Sequence, residues 1–97
     1  MYARVTIVQI QPDKADEAAR IFRDSVVPAA RQQSGFKSIM LLTDPNTGKG
    51  MSVSVWETEA DLKANEASGF YQEQVAKFGR LITAPPVRET YEVGVQA

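Results

Sequence analysis

The sequence predicts a single α+β domain over residues 1–97, with the ferredoxin-like order β-α-β-β-α-β and one antiparallel sheet. Two observations predict this fold. Four segments have the apolar pattern of β-strands, and two longer segments carry small or apolar residues at steps of three and four, as amphipathic helices do. The length fits one domain, and 43% hydrophobic with 24% charged residues is the composition of an ordinary globular protein.

The four strands are predicted at residues 2–10, 36–44, 50–57 and 87–96. The first has one plainly apolar face, formed by Ala3, Val5 and Ile7, and one mixed face. The second and third strands flank the stretch PNTGK, whose proline, asparagine and glycine favour a turn. We therefore predict an antiparallel hairpin in the middle of the chain.

The first helix is predicted over residues 14–33, where small or apolar residues recur every three or four positions. Asp13 is its predicted N-cap. Pro28 should kink it, because proline lacks a backbone donor and crowds the carbonyl group of Asp24. Gly35 suits the left-handed position that ends a helix.

The second helix is predicted to begin after Thr58, its N-cap, with Asp61 three residues on in a capping-box position. Gly69 should interrupt this helix. We expect it to resume and to reach Leu81, because apolar residues continue at helical spacing. Ala-Pro-Pro at 84–86 then ends it.

Both faces of the sheet are predicted to be apolar. The first strand has aliphatic residues on each side, and the second contains the run IMLL. The third has Met51, Val53 and Val55 on one face and Trp56 on the other. An antiparallel sheet with one face in water should alternate cleanly. An exposed second face would forgo several kcal/mol of burial, at roughly 25 cal/mol per Å². We therefore expect a second sheet from an identical chain, which makes the protein a homodimer.

The absence of cysteine and histidine limits the chemistry of the chain. It has no thiol nucleophile, no imidazole base and none of the usual transition-metal sites. The net charge is −1 and the basic residues are scattered, so we expect neither nucleic acid nor a membrane surface as a partner. The first residues resemble a strand rather than a signal peptide, and no stretch is apolar for the length of a membrane span. We expect a soluble, cytoplasmic protein.

Three stretches of the chain resemble the antibiotic-biosynthesis monooxygenase domain family: YARVTIVQIQPDKADEAARIF, SGFKSIMLLTD and VSVWETEADLKANEASGFYQEQVAKF. The resemblance rests on three features. A glycine–aromatic pair opens the second strand, a tryptophan closes the third, and a capped helix follows with a polar or aromatic pocket residue. The resemblance implies a dimeric α+β barrel, in which two sheets pack together and each subunit has a pocket between sheet and helices.

The resemblance also implies a cofactor-free oxygenase that acts on a phenolic or quinol compound. The haem-degrading branch of the superfamily would need an asparagine at Thr6, a tryptophan at Asn65 and a histidine near Val75. This chain has none of these, so we do not expect haem degradation. A phenol ionises with modest help, and its electron-rich anion passes an electron to O₂ without metal or flavin. The protein must desolvate and orient the ring and stabilise the anion.

Candidate site residues follow from this resemblance, with no cofactor and no metal expected. Asn65 or Arg4 would hold the developing oxyanion. A planar ring would stack on Trp56, Phe70 and Tyr71, and Tyr71 would relay a proton. The candidate catalytic residues are Asn65, Trp56 and Tyr71. The candidate ligand-binding residues are Arg4, Thr6 and Phe70.

Each candidate also has a structural interpretation. Trp56 at a strand end is often a core anchor that finds a partner for its indole N–H. Asn65 fits an exposed polar position on a helix. Arg4, which would be costly to bury unpaired, could pair with Glu89 or Glu92 across the sheet or the dimer interface.

Phe70 and Tyr71 form either a hydrophobic seam between two helix halves or a lid over a pocket. Two other functions stay open for the whole protein. One is a non-catalytic module that binds a small apolar metabolite. The other is an isomerase or decarboxylase that uses a tyrosine or a carboxylate as its acid or base.

Overall fold

Four strands form one antiparallel sheet, with the helices packed on one of its faces. The computed structural model describes residues 1–97. The strands are β1 (Tyr2–Gln9), β2 (Phe36–Thr43), β3 (Lys49–Trp56) and β4 (Val87–Glu92). They lie in the order β2-β3-β1-β4, which confirms the predicted ferredoxin-like α+β fold. The last strand ends at Glu92, short of the predicted residue 96.

The first helical region consists of four consecutive segments. A 3₁₀ turn (Pro12–Lys14) leads into α1 (Ala15–Ile21), a π-helical segment (Phe22–Val26) and α2 (Val27–Arg31). The predicted N-cap at Asp13 is wrong, because Asp13 lies inside the 3₁₀ turn and no side chain caps α1.

Pro28 changes the helix by widening it. Because Pro28 has no N–H to donate to Asp24, the helix changes register just before the proline. The N–H of Val27 donates to the carbonyl oxygen of Phe22, five residues back, in the π-helical segment. The predicted irregularity at Pro28 is thus present as a wide turn on its N-terminal side.

The second helical region follows the prediction at its start and departs from it at its end. Thr58 Oγ1 accepts a hydrogen bond from the Asp61 N–H at 3.1 Å and caps α3 (Glu59–Ala67). Gly69, with φ at 88°, then separates α3 from α4 (Phe70–Ala76). The helix does not reach Leu81. After Ala76 most backbone hydrogen bonds join residues three apart rather than four. Ile82 then pairs with Ile10 in an isolated bridge.

The two faces of the sheet differ in what covers them. The helices cover the mixed face of β1, where Arg4 and Thr6 are buried. The opposite face, called the open face below, is apolar and has no helix over it. Its largest side chains, Met40, Leu42 and Tyr91, are each about half exposed. The open face comprises the apolar residues Ala3, Val5, Ile7, Met40, Leu42, Met51, Val53, Val55, Val87 and Tyr91, with Ser38 and Glu89 as polar members on β2 and β4.

The core between the sheet and the helices has two anchored ends. At one end, Ile10 packs with Ala15, Ala18 and Leu81. At the other end, Trp56 is completely buried at the last position of β3. The space between these ends is not filled by side chains. None of the helices has the length and apolar composition that crossing a bilayer requires.

Candidate functional site

A cavity of about 80 Å³, open to solvent on one side, lies between the sheet and the helices. The helix-facing residues of β1, β2 and β3 form its floor, with Arg4 at one end and Ile10 at the other. Six residues of extended chain span roughly 20 Å. Phe22 of the π-helical segment and Phe70 of α4 are among its walls. This mostly apolar lining with a few polar groups is typical of a site for a small apolar ligand.

Arg4 is the polar end of the cavity floor. It is 5% exposed, and its Nη1 donates a hydrogen bond to Asn65 Oδ1 at 3.1 Å. The same nitrogen lies 3.5 Å from Glu66 Oε2. Burial lowers the pKa of the Arg4 guanidinium, and the Glu66 carboxylate opposes that change by favouring the charged form. Arg4 therefore places a buried positive charge next to an apolar space.

Tyr71 of α4 lies between two guanidinium groups. The Cζ atom of Arg4 is 4.9 Å from the centre of the Tyr71 ring, and that of Arg88 is 4.8 Å from it. Arg88 Nε is also 3.8 Å from Glu66 Oε2. That oxygen has no hydrogen bond, so Glu66 interacts with both arginines as a charge. Cation–π contacts thus hold Tyr71 at the charged end of the cavity.

Trp56 and Asn65 lie behind Arg4 and do not line the cavity. Trp56 is 0% exposed, its Nε1 donates to Ser54 Oγ at 3.0 Å, and its ring centre is 5.3 Å from Arg4 Cζ. Asn65 is buried, accepts the hydrogen bond from Arg4 and donates from Nδ2 to Gln33 Oε1 at 3.1 Å. Both side chains have their polar groups satisfied inside the protein.

The structure brings four of the six candidate residues to the cavity wall. They are Arg4, Thr6, Phe70 and Tyr71. Trp56 and Asn65 both contact Arg4, and Trp56 also donates to Ser54 of the cavity lining, so they meet the cavity only through other residues. The catalytic and ligand-binding roles of the six stay predictions, and their positions form one connected cluster.

Two structural interpretations from the sequence are wrong. Asn65 is not an exposed helix position, because it is 5% exposed. Arg4 does not pair with Glu89 or Glu92, since its partner is Glu66. Glu89 faces Val5 across β4 and so belongs to the opposite side of the sheet from Arg4.

Sequence reasoning missed Gln33, Glu66 and Arg88. Glu66 follows Asn65 directly on α3, and that adjacency was the one available indication. Arg88 lies on the same face of β4 as Thr90, which pairs with Arg4. A known register for the last strand would have placed Arg88 on the helix-facing side. Gln33 lies beyond the end of α2, and nothing in the sequence connects it to Asn65.

The profile of the family described as antibiotic biosynthesis monooxygenase matches residues 1–77. The match runs from β1 to the end of α4 and includes most of the cavity lining. The chain belongs to the antibiotic biosynthesis monooxygenase (ABM) family. Arg88 and the rest of β4 lie beyond the matched residues of this ABM-family protein.

Relatives of this ABM-family protein share its sequence over part of their length. Rv2558 of Mycobacterium tuberculosis, an uncharacterized protein, is 34% identical over 65 residues, which make up 67% of this chain. The matched region spans 28% of the length of that relative.

Solved structures share the fold over nearly the whole chain. A monooxygenase from the gene ActVA-Orf6 of Streptomyces coelicolor, in complex with nanaomycin D, has a TM-score of 0.77 at 15% identity and covers 93% of this chain and 84% of its own. SnoaB, a cofactor-independent oxygenase from Streptomyces nogalater, has a TM-score of 0.76 at 14% identity and covers 98% and 94%. At these identities the likeness shows the fold alone.

Proposed function

We propose that this ABM-family protein is a cofactor-independent monooxygenase that oxidises a phenolic or quinol small molecule in the cavity between sheet and helices. The observation that carries the proposal is the apolar cavity with Arg4 and Tyr71 at one end. Family membership supports it, as does the fold shared with oxygenases that act on small molecules. Fold alone does not establish activity, so the cavity chemistry is the main support.

The cavity offers the three contributions that this oxidation needs. Its apolar walls, with Phe70 among them, remove water from an aromatic ring and orient it. The guanidinium group of Arg4, on the cavity wall, stabilises the negative charge on the ring oxygen, and that of Arg88 adds a second positive charge beside Tyr71. Tyr71, between them, relays the proton that the substrate loses. Thr6 supplies a hydroxyl group on the floor next to Arg4.

In this proposal Asn65 and Trp56 are positioning residues. Asn65 fixes one edge of the Arg4 guanidinium by accepting its hydrogen bond, and the Trp56 ring lies against Arg4 from the core side. Because the charge must be in place before the anion forms, a rigid arginine stabilises the anion more than a mobile one.

The proposed reaction needs no reactant other than substrate and O₂. With an anthrone, the ring methylene group loses its two hydrogen atoms and becomes a carbonyl group. One oxygen atom of O₂ enters that carbonyl group, and the other leaves with the two hydrogen atoms as water. The carbanion formed by loss of the first proton is the electron donor to O₂.

We also propose that the protein acts as a homodimer whose two open faces pack together. The uncovered apolar residues on β1, β2 and β3 support this proposal. The cavity lies on the other side of the sheet from the open face, so each subunit would hold its own ligand.

Oxygen uptake tests the proposed activity directly. Purified protein is mixed with a panel of hydroquinones and anthrones in the presence of a metal chelator, and oxygen consumption is compared with the rate without protein. We expect one O₂ consumed per anthrone. Tyr71→Phe should lower the rate by at least about tenfold, because it removes the proton relay. Tyr2→Phe, at a tyrosine outside the cavity, should not.

One observation favours a second function, that of a non-catalytic module that binds a small apolar metabolite. Asn65 accepts from Arg4 through Oδ1 and donates to Gln33 through Nδ2, so neither the oxygen nor the nitrogen of its amide group is free for a substrate. A ligand that raises the melting temperature without oxygen uptake on any substrate would support binding over catalysis.

A further inference from the structure

The guanidinium group of Arg4 has one edge that the protein leaves unused. Its hydrogen bond to Asn65 and its closest approach to Glu66 are both made by Nη1. Nε and Nη2 donate no hydrogen bond within the chain, although the residue is 5% exposed and lines the cavity. These nitrogens are not sealed off from open space. They form the side of a guanidinium that presents two parallel N–H groups.

The faces of the same guanidinium are already covered. The Trp56 ring lies 5.3 Å from Cζ and the Tyr71 ring 4.9 Å from it. With Nη1 engaged as well, the free edge is the remaining polar surface that Arg4 offers to the cavity. Burying an arginine with two such donors unused is costly unless something else accepts from them.

The charge at this end of the cavity is also unbalanced. The charged groups that act on Arg4 are Glu66, which attracts it, and Arg88, which repels it. Two guanidinium groups against one carboxylate leave a net charge of about +1 beside an apolar floor. An anion on the ligand would neutralise this charge.

We infer that the ligand of this cavity carries a carboxylate, which the free Nε–Nη2 edge of Arg4 binds through two parallel hydrogen bonds. Two oxygens on one carbon match this edge, whereas a single phenolate oxygen or a neutral amide does not. The ring of the ligand then lies along the apolar floor toward Ile10. With its free edge occupied, Arg4 holds the carboxylate rather than the ring oxygen, and the positive charge left near the ring oxygen is that of Arg88 beside Tyr71. This inference rests on the proposed function in taking the cavity as the ligand site, and it makes the substrate an aromatic acid.

Binding of a matched pair of probes tests this inference. 2-Naphthoate and 2-naphthamide have the same ring and nearly the same shape, and only the first carries a charge. Their Kd values are measured by calorimetry, and the emission of Trp56, the single tryptophan, reports whether they bind against Arg4. We expect 2-naphthoate to bind at least about tenfold more tightly. Equal or tighter binding of 2-naphthamide, or no binding of 2-naphthoate at millimolar concentration, would overturn the inference.

Two arginine variants separate the edge of Arg4 from charge alone. Arg4→Lys keeps the positive charge and removes the two parallel donors, so the preference for 2-naphthoate should fall to below about threefold. Arg88→Gln removes a charge and keeps the edge, so it should lower the preference less. Arg23→Lys, at an exposed arginine, serves as the control. A preference that survives Arg4→Lys and disappears in Arg88→Gln would contradict the assigned edge.

The outcome is independent of turnover. A preference for 2-naphthoate together with no oxygen uptake would leave the carboxylate site standing and remove the oxygenase proposal. Oxygen uptake with neutral substrates and no preference for the acid would leave the oxygenase proposal standing and remove the carboxylate site. Circular dichroism of Arg4→Lys, with Arg4→Gln as a second variant, shows whether a lost preference comes from a folded protein.

Discussion

Arg4 carries a charge at a place where little water reaches, and its neighbours make that possible. A buried charge costs several kcal/mol unless it is paired and hydrogen-bonded. Arg4 has an amide acceptor in Asn65, a carboxylate in Glu66 and aromatic rings on its faces. The neighbours are therefore needed for stability as well as for any chemistry, and variants in them must be tested for both.

Asn65→Ala should destabilise the fold by about 1–3 kcal/mol, because it removes the acceptor of the buried Arg4 Nη1 and the donor to Gln33 Oε1. Urea unfolding of the variant and the parent measures the loss. Asn46→Ala is the matched control, at an exposed asparagine in the hairpin turn, and should change stability by less than about 0.5 kcal/mol. An unchanged midpoint for Asn65→Ala would mean that the amide network is not holding Arg4.

At the residue scale, the sequence indicated candidate residues but not the contacts between them. Arg4 on the mixed face and Asn65 on the helix after Trp56 were both identified as candidates. Their hydrogen bond joins residues 61 apart in the chain, and it depends on how α3 is rotated over the sheet. The charged partner of Arg4 could not be derived for the same reason, because Glu66 also lies on α3.

The turns that join the elements show how the fold depends on single glycines. Gly35 and Gly69 both have positive φ, at 78° and 88°. A β-carbon at Gly35 would overlap the Asp61 side chain, whereas one at Gly69 would have nothing within 4 Å. Both positions have a left-handed backbone, which would strain any other residue, and they differ in the space available to a β-carbon.

Gly35→Ala should therefore be more destabilising than Gly69→Ala. At Gly69 the cost is the left-handed backbone alone, about 1 kcal/mol. At Gly35 the same strain is joined by a clash with Asp61, whose carboxylate accepts a hydrogen bond from Thr58, the N-cap of α3, so we expect at least about 1 kcal/mol more. Chemical denaturation of the two variants side by side gives the difference. Equal losses would mean that Asp61 moves aside without cost.

Two boundaries of the second helical region were predicted correctly because neighbouring residues cause them. The Thr58 cap and the break at Gly69 both depend on residues within three positions, and both are confirmed. The end of the last helix was missed because its cause is distant: Ile82 pairs with Ile10, which draws the chain away from a helical path. Apolar spacing continues to Leu81, and spacing alone cannot detect that competition.

For the whole molecule, the distribution of apolar residues decides what the chain requires. The helix-facing side of the sheet holds Arg4 and Thr6, whereas the open face presents aliphatic side chains to solvent. The sequence predicted an apolar second face, and the structure bears this out. It could not predict that the more polar side would face the helices, because that choice depends on the cavity and on the pairing of Arg4 with α3.

The open face leads to a prediction about oligomeric state. A stable interface of ordinary size covers about 800 Å² on each partner. A twisted four-stranded face with apolar side chains on every strand can provide that area. Sedimentation velocity at micromolar concentration should therefore give a dimer. Val53→Lys, which puts a charge on β3 at the middle of the open face, should give monomer or aggregate, because the charge would be buried unpaired. Val95→Lys, at a residue 92% exposed and outside that face, should remain dimeric. A parent chain that sediments as a stable monomer would contradict the pairing of open faces, because the apolar side chains would then tolerate water without a partner.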